Sequence, residues 1–149
     1  MRATAPRPEV QSQPNRIHLV TLRAAHRQSP FVDFELARCV AEVATSRAVW
    51  RDGRVLAWVL LPDQWLGLVE VGALDSLAIA IARMKTRTTR AVRRQEMGTG
   101  DLWDAAIEER PLAADEDVTA AARRLVARPL RAGLVQKIGD YPFWDAIWV

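Results

Sequence analysis

A row of arginines between residues 83 and 94 is the group whose type and spacing most clearly suggest a chemistry. At about 100° per residue, a helical stripe of roughly 60° contains Arg83, Arg87, Arg90 and Arg94, with Lys85 and Arg93 beside it. Guanidinium groups three and four residues apart match a row of phosphates, because each presents a fork of donors that suits bidentate contact. No acidic residue stands four residues away to pair with them. The stripe predicts an anionic partner such as DNA, with a solvated outer face as the alternative.

Few other side chains are of a type that carries out catalysis. The chain has one cysteine, Cys39, one tyrosine, Tyr141, and two histidines, His18 and His26. Cys39 shares one side of a predicted helix with apolar residues, which favours a buried thiol over a reactive one. Tyr141 lies in an aromatic C-terminal segment, which favours packing. The two histidines are too far apart in sequence to form a local pair of metal ligands.

Strands are predicted where apolar and β-branched residues alternate. The predicted strands cover residues 17–22, 55–60, 65–71 and 103–109. Pro62 and Asp63 are turn formers, so a hairpin is expected between the second and third strands. Trp58, in the second strand, is expected to pack in the core.

Helical periodicity separates these strands. One helix is expected to begin at Asp33 and run to about residue 46, and a second to cover residues 74–94. A third opens at Asp115 or Asp117 and ends near Pro129. The resulting order of strand, helix, strand, strand, helix, strand, helix predicts an α+β fold of the ferredoxin-like type, an antiparallel sheet with helices on one face.

Composition supports one globular domain. The 149 residues are 50% hydrophobic and 26% charged, and the net charge is +3. Arginine so outnumbers lysine that the pI is about 9.7, which mildly favours a polyanionic partner. No apolar run approaches the roughly 18 residues that span a bilayer. Residues 1–16 are expected to be a flexible tail, residues 17–149 one domain, and the protein bacterial and cytoplasmic.

Several segments resemble a known family. The stretches RVLAWVLLPDQ, RPLRAGLV and GDYPFWDAIWV, together with the basic helix, resemble the REP-associated tyrosine transposases of the IS200-like, HUH-type group. The resemblance covers about residues 17–149 and implies a ferredoxin-like domain that recognises single-stranded or hairpin DNA. In that family two histidines, one residue apart on a strand, hold a divalent metal such as Mg or Mn. A tyrosine on a helix then attacks the phosphate and forms a transient covalent bond.

The resemblance places other residue types at the catalytic positions. The strand reads PDQWLG, so Gln64 and Leu66 stand at the histidine positions, and leucine has no lone pair for a metal. In RRLVARP, Arg124 stands at the position of the tyrosine and Arg128 at that of an asparagine, and arginine is not a nucleophile. We therefore expect no metal, no cofactor and no catalytic residue there, and we add Arg124 and Arg128 to the DNA-binding residues. His18 is expected to be structural or DNA-facing.

Three functions follow from the resemblance and its departures. The favoured one is a catalytically inactive DNA-binding protein that recognises single-stranded or hairpin DNA. The second is an active transposase in which Tyr141 works with Asp63, Glu70 or Glu108 as metal ligands. The third is a relic scaffold without DNA affinity, kept for protein contacts. The sequence does not choose between a monomer and a homodimer.

Overall fold

The chain forms a five-stranded sheet covered by helices. The computed structural model describes residues 17–95, 97–98 and 100–148, and the predicted tail at residues 1–16 lies outside this part of the chain. The strands are β1 (Ile17–Arg23), β2 (Arg54–Leu61), β3 (Gln64–Glu70), β4 (Glu108–Pro111) and β5 (Trp144–Ala146). The helices are α1 (Phe34–Ala44), α2 (Arg47–Trp50), α3 (Leu77–Arg94), α4 (Val118–Val126) and α5 (Arg128–Arg131).

The sheet has the strand order β4-β1-β3-β2-β5, and all neighbouring strands are antiparallel. The first four strands with α1 and α3 have the ferredoxin-like arrangement, which confirms the predicted fold class. In the predicted hairpin, Leu61 of β2 pairs with Gln64 of β3 around Pro62 and Asp63. Because side chains alternate along a strand, Gln64 and Leu66 point to one face of the sheet, and Trp65 points to the other.

Helices cover both faces of the sheet. On one face α1 and α3 form an apolar core with buried residues that include Trp65 and Val69 of β3. On the other face Ala121 and Leu125 of α4 pack on Leu66 and Leu68. The prediction that the helices lie on one face was therefore wrong. All of β3 except Glu70 is buried, and the unbroken apolar run of β3 was the sequence signal that both of its faces are covered.

The helix starts follow from side-chain caps. Asp33 Oδ1 accepts a hydrogen bond of 3.1 Å from the Leu36 N–H, as predicted for α1. Asp117, rather than Asp115, caps α4 by accepting from the Ala120 N–H at 3.2 Å. Helix α4 ends at Val126, and Pro129 lies in the first turn of α5.

Two regions differ from the sequence predictions. The expected strand at residues 103–109 is shorter and later, because β4 covers Glu108–Pro111 and Trp103 contributes only an isolated bridge to Ala24. The C-terminal segment packs on the body as expected, and it also adds β5 to the sheet edge beside β2. Trp58 is partly buried against the core, as predicted.

The lone cysteine is buried, as predicted. Cys39 is 7% exposed, and burial, with a smaller effect of Glu42, raises the pKa of its thiol. In the described part of the chain, no helix is both long and apolar enough to span a membrane.

Candidate nucleic-acid interface

The α4 face of the sheet brings together the four residues that the resemblance places at catalytic positions. Arg124 and Arg128 line a cavity of about 200 Å³ together with Leu66. An adjoining cavity of about 460 Å³ is lined by Gln64, Arg128 and Arg131. The strand and the helix therefore meet at one place, although they are distant in sequence.

Neither strand position fits a divalent metal. The Gln64 side-chain oxygen accepts a hydrogen bond of 3.2 Å from Arg23 Nη1, so a cation already occupies its acceptor side. Arg23 also donates to Glu108 Oε2 from Nη2 at 3.1 Å. Leu66 is 4% exposed and belongs to the apolar cluster under α4. Divalent metals need several oxygen or nitrogen donors, and these two side chains supply one oxygen between them.

Carboxylates offset only part of the positive charge at this site. Glu116 accepts from Arg110 Nη1 at 2.9 Å and Nη2 at 3.0 Å, and it lies 3.8 Å from Arg124 Nη2. The hydrogen bonds from Arg110 are the main reason that the pKa of Glu116 falls to about 2, so Glu116 stays ionised. Arg131 Nη2 donates to the Arg124 carbonyl at 2.6 Å.

We call these guanidinium groups the α4-face cluster. It comprises Arg23, Arg110, Arg124, Arg128 and Arg131, and its acidic partners are Glu108 and Glu116. Asp63 also lines the cavity that contains Gln64 and Arg128, so five cations face three carboxylates and an excess of positive charge remains. Among the described residues, Arg128 has no carboxylate within 4.0 Å. Such a fork of donors fits a phosphate or a carboxylate group.

The sequence singled out only two members of this cluster. Arg23 and Arg110 come from β1 and β4, and the sheet register brings Arg23 to Gln64 and Arg110 to the cavity of Arg124. Arg131 lies beyond Pro129, and the α4 to α5 turn brings it to Arg124. Alternation along β1 predicts that Arg23 lies on the same face of the sheet as Leu19. It does not predict the contact of Arg23 with Gln64, which depends on the strand register.

The predicted stripe on α3 divides into two parts. Arg83 is 20% exposed, donates to Asp75 at 2.9 and 3.1 Å, and donates to the Val49 carbonyl at 2.7 Å. The expectation that Arg83 belongs to an unpaired stripe was wrong. Its carboxylate partner precedes the helix, so four-residue spacing within the helix does not predict the pair. The Lys85 side chain is also turned inwards from the solvent. Its Nζ donates to the Asp104 carbonyl at 2.9 Å, and burial lowers the pKa of Lys85.

The remaining arginines of α3 face solvent. They are Arg87, Arg90, Arg93 and Arg94, which we call the α3 stripe. Where the chain is described, none of them has a carboxylate within 4.0 Å, in contrast to Arg51, Arg54 and Arg83. The α3 stripe lies on the opposite side of the sheet from the α4-face cluster, so the two predicted groups of DNA-binding residues do not form one flat surface.

The Tyr141 hydroxyl is not activated as a nucleophile. Its hydroxyl donates a hydrogen bond to the Leu60 carbonyl, and burial, with a smaller contribution from Asp63, raises its pKa to about 12. Glu70 is at the far end of β3 from Gln64 and binds Arg54 at 2.7 Å. Within the described residues, no three His, Cys, Asp or Glu side chains are grouped so that they could hold a metal ion.

His18 is structural rather than DNA-facing. Its side chain is fully buried on the α1 and α3 side of the sheet, and Nδ1 lies 3.5 Å from Glu109 Oε1. His26, in contrast, is exposed in the segment that follows β1.

Solved structures of transposases have the same fold. A REP-associated tyrosine transposase bound to a REP hairpin superposes with a TM-score of 0.69 at 18% identity, over 97% of this chain and 82% of that one. The chain has the fold of a transposase. A candidate transposase from Deinococcus radiodurans gives a TM-score of 0.54 at 16% identity, over 86% of this chain and 97% of the other. No protein-family model and no curated protein matches the sequence.

Proposed function

We propose that this protein is a transposase-like protein that binds single-stranded or hairpin DNA and does not cleave it. The α4-face cluster holds the phosphodiester backbone at the position where the family resemblance places the metal and the nucleophile. The proposal rests on one observation. The residues Gln64, Leu66, Arg124 and Arg128 line two adjoining cavities on one face of the sheet. A structure of the same fold holds a REP hairpin, which supports DNA as the partner. The expected location is the cytoplasm, where DNA is accessible.

The chemistry of the cluster favours binding over cleavage. A guanidinium group offers charge and a planar fork of donors to a phosphate, which is enough to hold it. Cleavage through a covalent intermediate would also need an activated nucleophile. Arg124 cannot serve as one, and the Tyr141 hydroxyl donates a hydrogen bond to a backbone carbonyl.

A binding measurement with a matched control tests the proposal. Arg124→Ala combined with Arg128→Ala should weaken binding of a hairpin with a single-stranded extension. The slope of log K against log salt should also fall by about 0.7–0.9 for each phosphate that the protein no longer neutralises. Arg38→Ala is the control, because Arg38 is an exposed arginine on α1 that lies 3.9 Å from Glu35. Equal affinities for the double variant and the control would contradict the proposal, and no binding to any DNA at low salt would favour the relic scaffold.

A second assay addresses cleavage directly. The protein is incubated with a radiolabelled hairpin oligonucleotide and Mg²⁺ or Mn²⁺, denatured, and run on a denaturing gel. We expect no DNA that migrates with the protein. A covalent adduct that disappears in Tyr141→Phe would overturn the non-cleaving part of the proposal and support the active alternative.

A further inference from the structure

The two basic surfaces could bind one ligand only if that ligand reaches both faces of the sheet. The α3 stripe and the α4-face cluster lie on opposite sides of the sheet. A straight duplex is stiff over about 150 base pairs, so it cannot bend around a small domain at low cost. A single strand can, because its backbone is flexible. The remaining issue is the route that such a strand would follow.

The sheet edge beside β1 is an unfavourable route. Residues 104–111 form this edge, where Asp104 and Glu109 are exposed and Glu108, also exposed, is paired with Arg23. A polyanion that crossed there would meet a row of carboxylates.

The end of the sheet beyond β1 offers a better route. A cavity of about 360 Å³ is lined by Thr89 and Arg93 of α3 and by His26 and Gln28, and its lining also includes Asp101. The next residue, Ser29, lines the cavity that contains Gln64 and Arg128. The short segment 26–29 therefore borders both cavities through His26, Gln28 and Ser29, and Arg27 is exposed between them without lining either cavity.

This segment is anchored at both ends and strained in the middle. Ala25 and Phe31 are each 5% exposed, and their N–H groups donate to the carbonyls of Leu102 at 3.0 Å and Pro62 at 3.0 Å. Between them, residues 26–29 are exposed. His26 and Arg27 both have positive φ, at 58° and 55°, a conformation that is strained for a residue other than glycine. Glycine at these two positions would relieve the strain. Backbone strain that persists in a folded protein clusters at functional sites.

We infer that residues 26–29 form a bridge that carries one single strand of nucleic acid from the α3 stripe to the α4-face cluster. Arg27 contacts the phosphate backbone at the crossing, and the exposed side chains of His26 and Gln28 lie beside the same path. The ligand is a single-stranded segment long enough to reach both surfaces, and the inference rests on the proposed function for its α4 end. It predicts one long strand per protein rather than two.

The test compares Arg27→Gly with Arg27→Ala. Both variants remove the guanidinium, and only glycine also relieves the positive φ, so Arg27→Gly should melt at a temperature higher by about 2–4 °C. Both should bind a single-stranded 20-mer about 5- to 10-fold more weakly than the wild type at low salt, with a salt slope reduced by about 0.7. A 4-mer, which reaches only one surface, should bind all three proteins equally. A purely structural role for Arg27 would change the melting temperature and leave the affinities unchanged, which would overturn the inference.

Calorimetric stoichiometry separates this inference from the proposed function. We expect one 20-mer per protein chain, with weaker binding in Arg27→Ala, in Arg87→Ala combined with Arg90→Ala, and in Arg124→Ala combined with Arg128→Ala. Two 20-mers per chain would show that the surfaces act separately and would overturn the bridge. Loss of affinity only in the Arg124 and Arg128 variant would also overturn the bridge and leave the proposed function intact. No loss in that variant would remove the proposed function itself.

Discussion

Replacement of Arg83 should lower stability and leave DNA binding unchanged, although Arg83 heads the basic row in the sequence. The substitution Arg83→Ala removes two hydrogen bonds to Asp75 and one to the Val49 carbonyl. Hydrogen bonds to charged groups are each worth about 1.5–3 kcal/mol. The hydrogen bonds of Arg83 together contribute less than the sum of these values. Arg83 is 20% exposed, and Arg51, 3.7 Å from Asp75, can still neutralise the carboxylate. We expect a loss of about 2 kcal/mol in the free energy of unfolding.

The matched variant is Arg87→Ala, one helical turn further along α3. Arg87 is exposed, so its loss should change the free energy of unfolding by less than about 0.5 kcal/mol. For a chain of this size, a loss of 2 kcal/mol lowers the melting temperature by about 4–8 °C. Urea unfolding followed by tryptophan fluorescence and fluorescence anisotropy with a labelled single strand measure the two properties. If Arg83→Ala weakened DNA binding as much as Arg87→Ala and left the urea midpoint unchanged, the assignment of Arg83 to the fold would be refuted.

Three further outcomes follow from particular contacts. Gly67→Ala should destabilise the protein by about 1–3 kcal/mol in urea, because the new methyl group would overlap the ring of Trp65 on the same face of β3. Glu116 has a lowered pKa, so its stabilising effect is present above its ordinary value of 4.5 and is lost as the pH falls towards about 2. Glu116→Gln should therefore show a shallower loss of stability over this window in acid unfolding followed by circular dichroism. Cys39 should react with a thiol reagent at pH 8 much faster in urea than in the folded protein, because burial raises its pKa and blocks access.

The sequence predicted the elements of the fold better than their arrangement in layers. Strand and helix positions followed from local periodicity, and the Asp33 cap and the hairpin at Pro62 and Asp63 were confirmed. Strand β5 was missed, because its three residues lie in an aromatic segment without a run of alternating residues. The apolar run of β3 indicates that both of its faces are covered, but the choice of α4 as the second cover depends on long-range packing against Leu66 and Leu68.

The candidate site was predictable in its centre and not in its surroundings. Gln64, Leu66, Arg124 and Arg128 were found through the resemblance, which fixes positions and not contacts. Charge periodicity located α3 correctly, but it could not show that Arg83 reaches back eight positions to Asp75, because an ion pair outside the helix leaves no helical spacing. For the same reason it missed the Arg23 contact to Gln64, which only the β1 and β3 register creates.

The contacts at Gln64 and Leu66 do not fit a divalent metal. A metal site could not be restored by one imidazole at position 64, because Arg23 already lies against that side chain and is held there by Glu108. An imidazole at position 66 would replace a buried leucine in the apolar contact between β3 and α4. A bound metal would in addition stand close to Arg128 and Arg131, whose charge opposes it. The guanidinium groups that would oppose a divalent cation are the same groups that would favour a phosphate, so the proposed grip on DNA and the poor fit to a metal have one electrostatic cause.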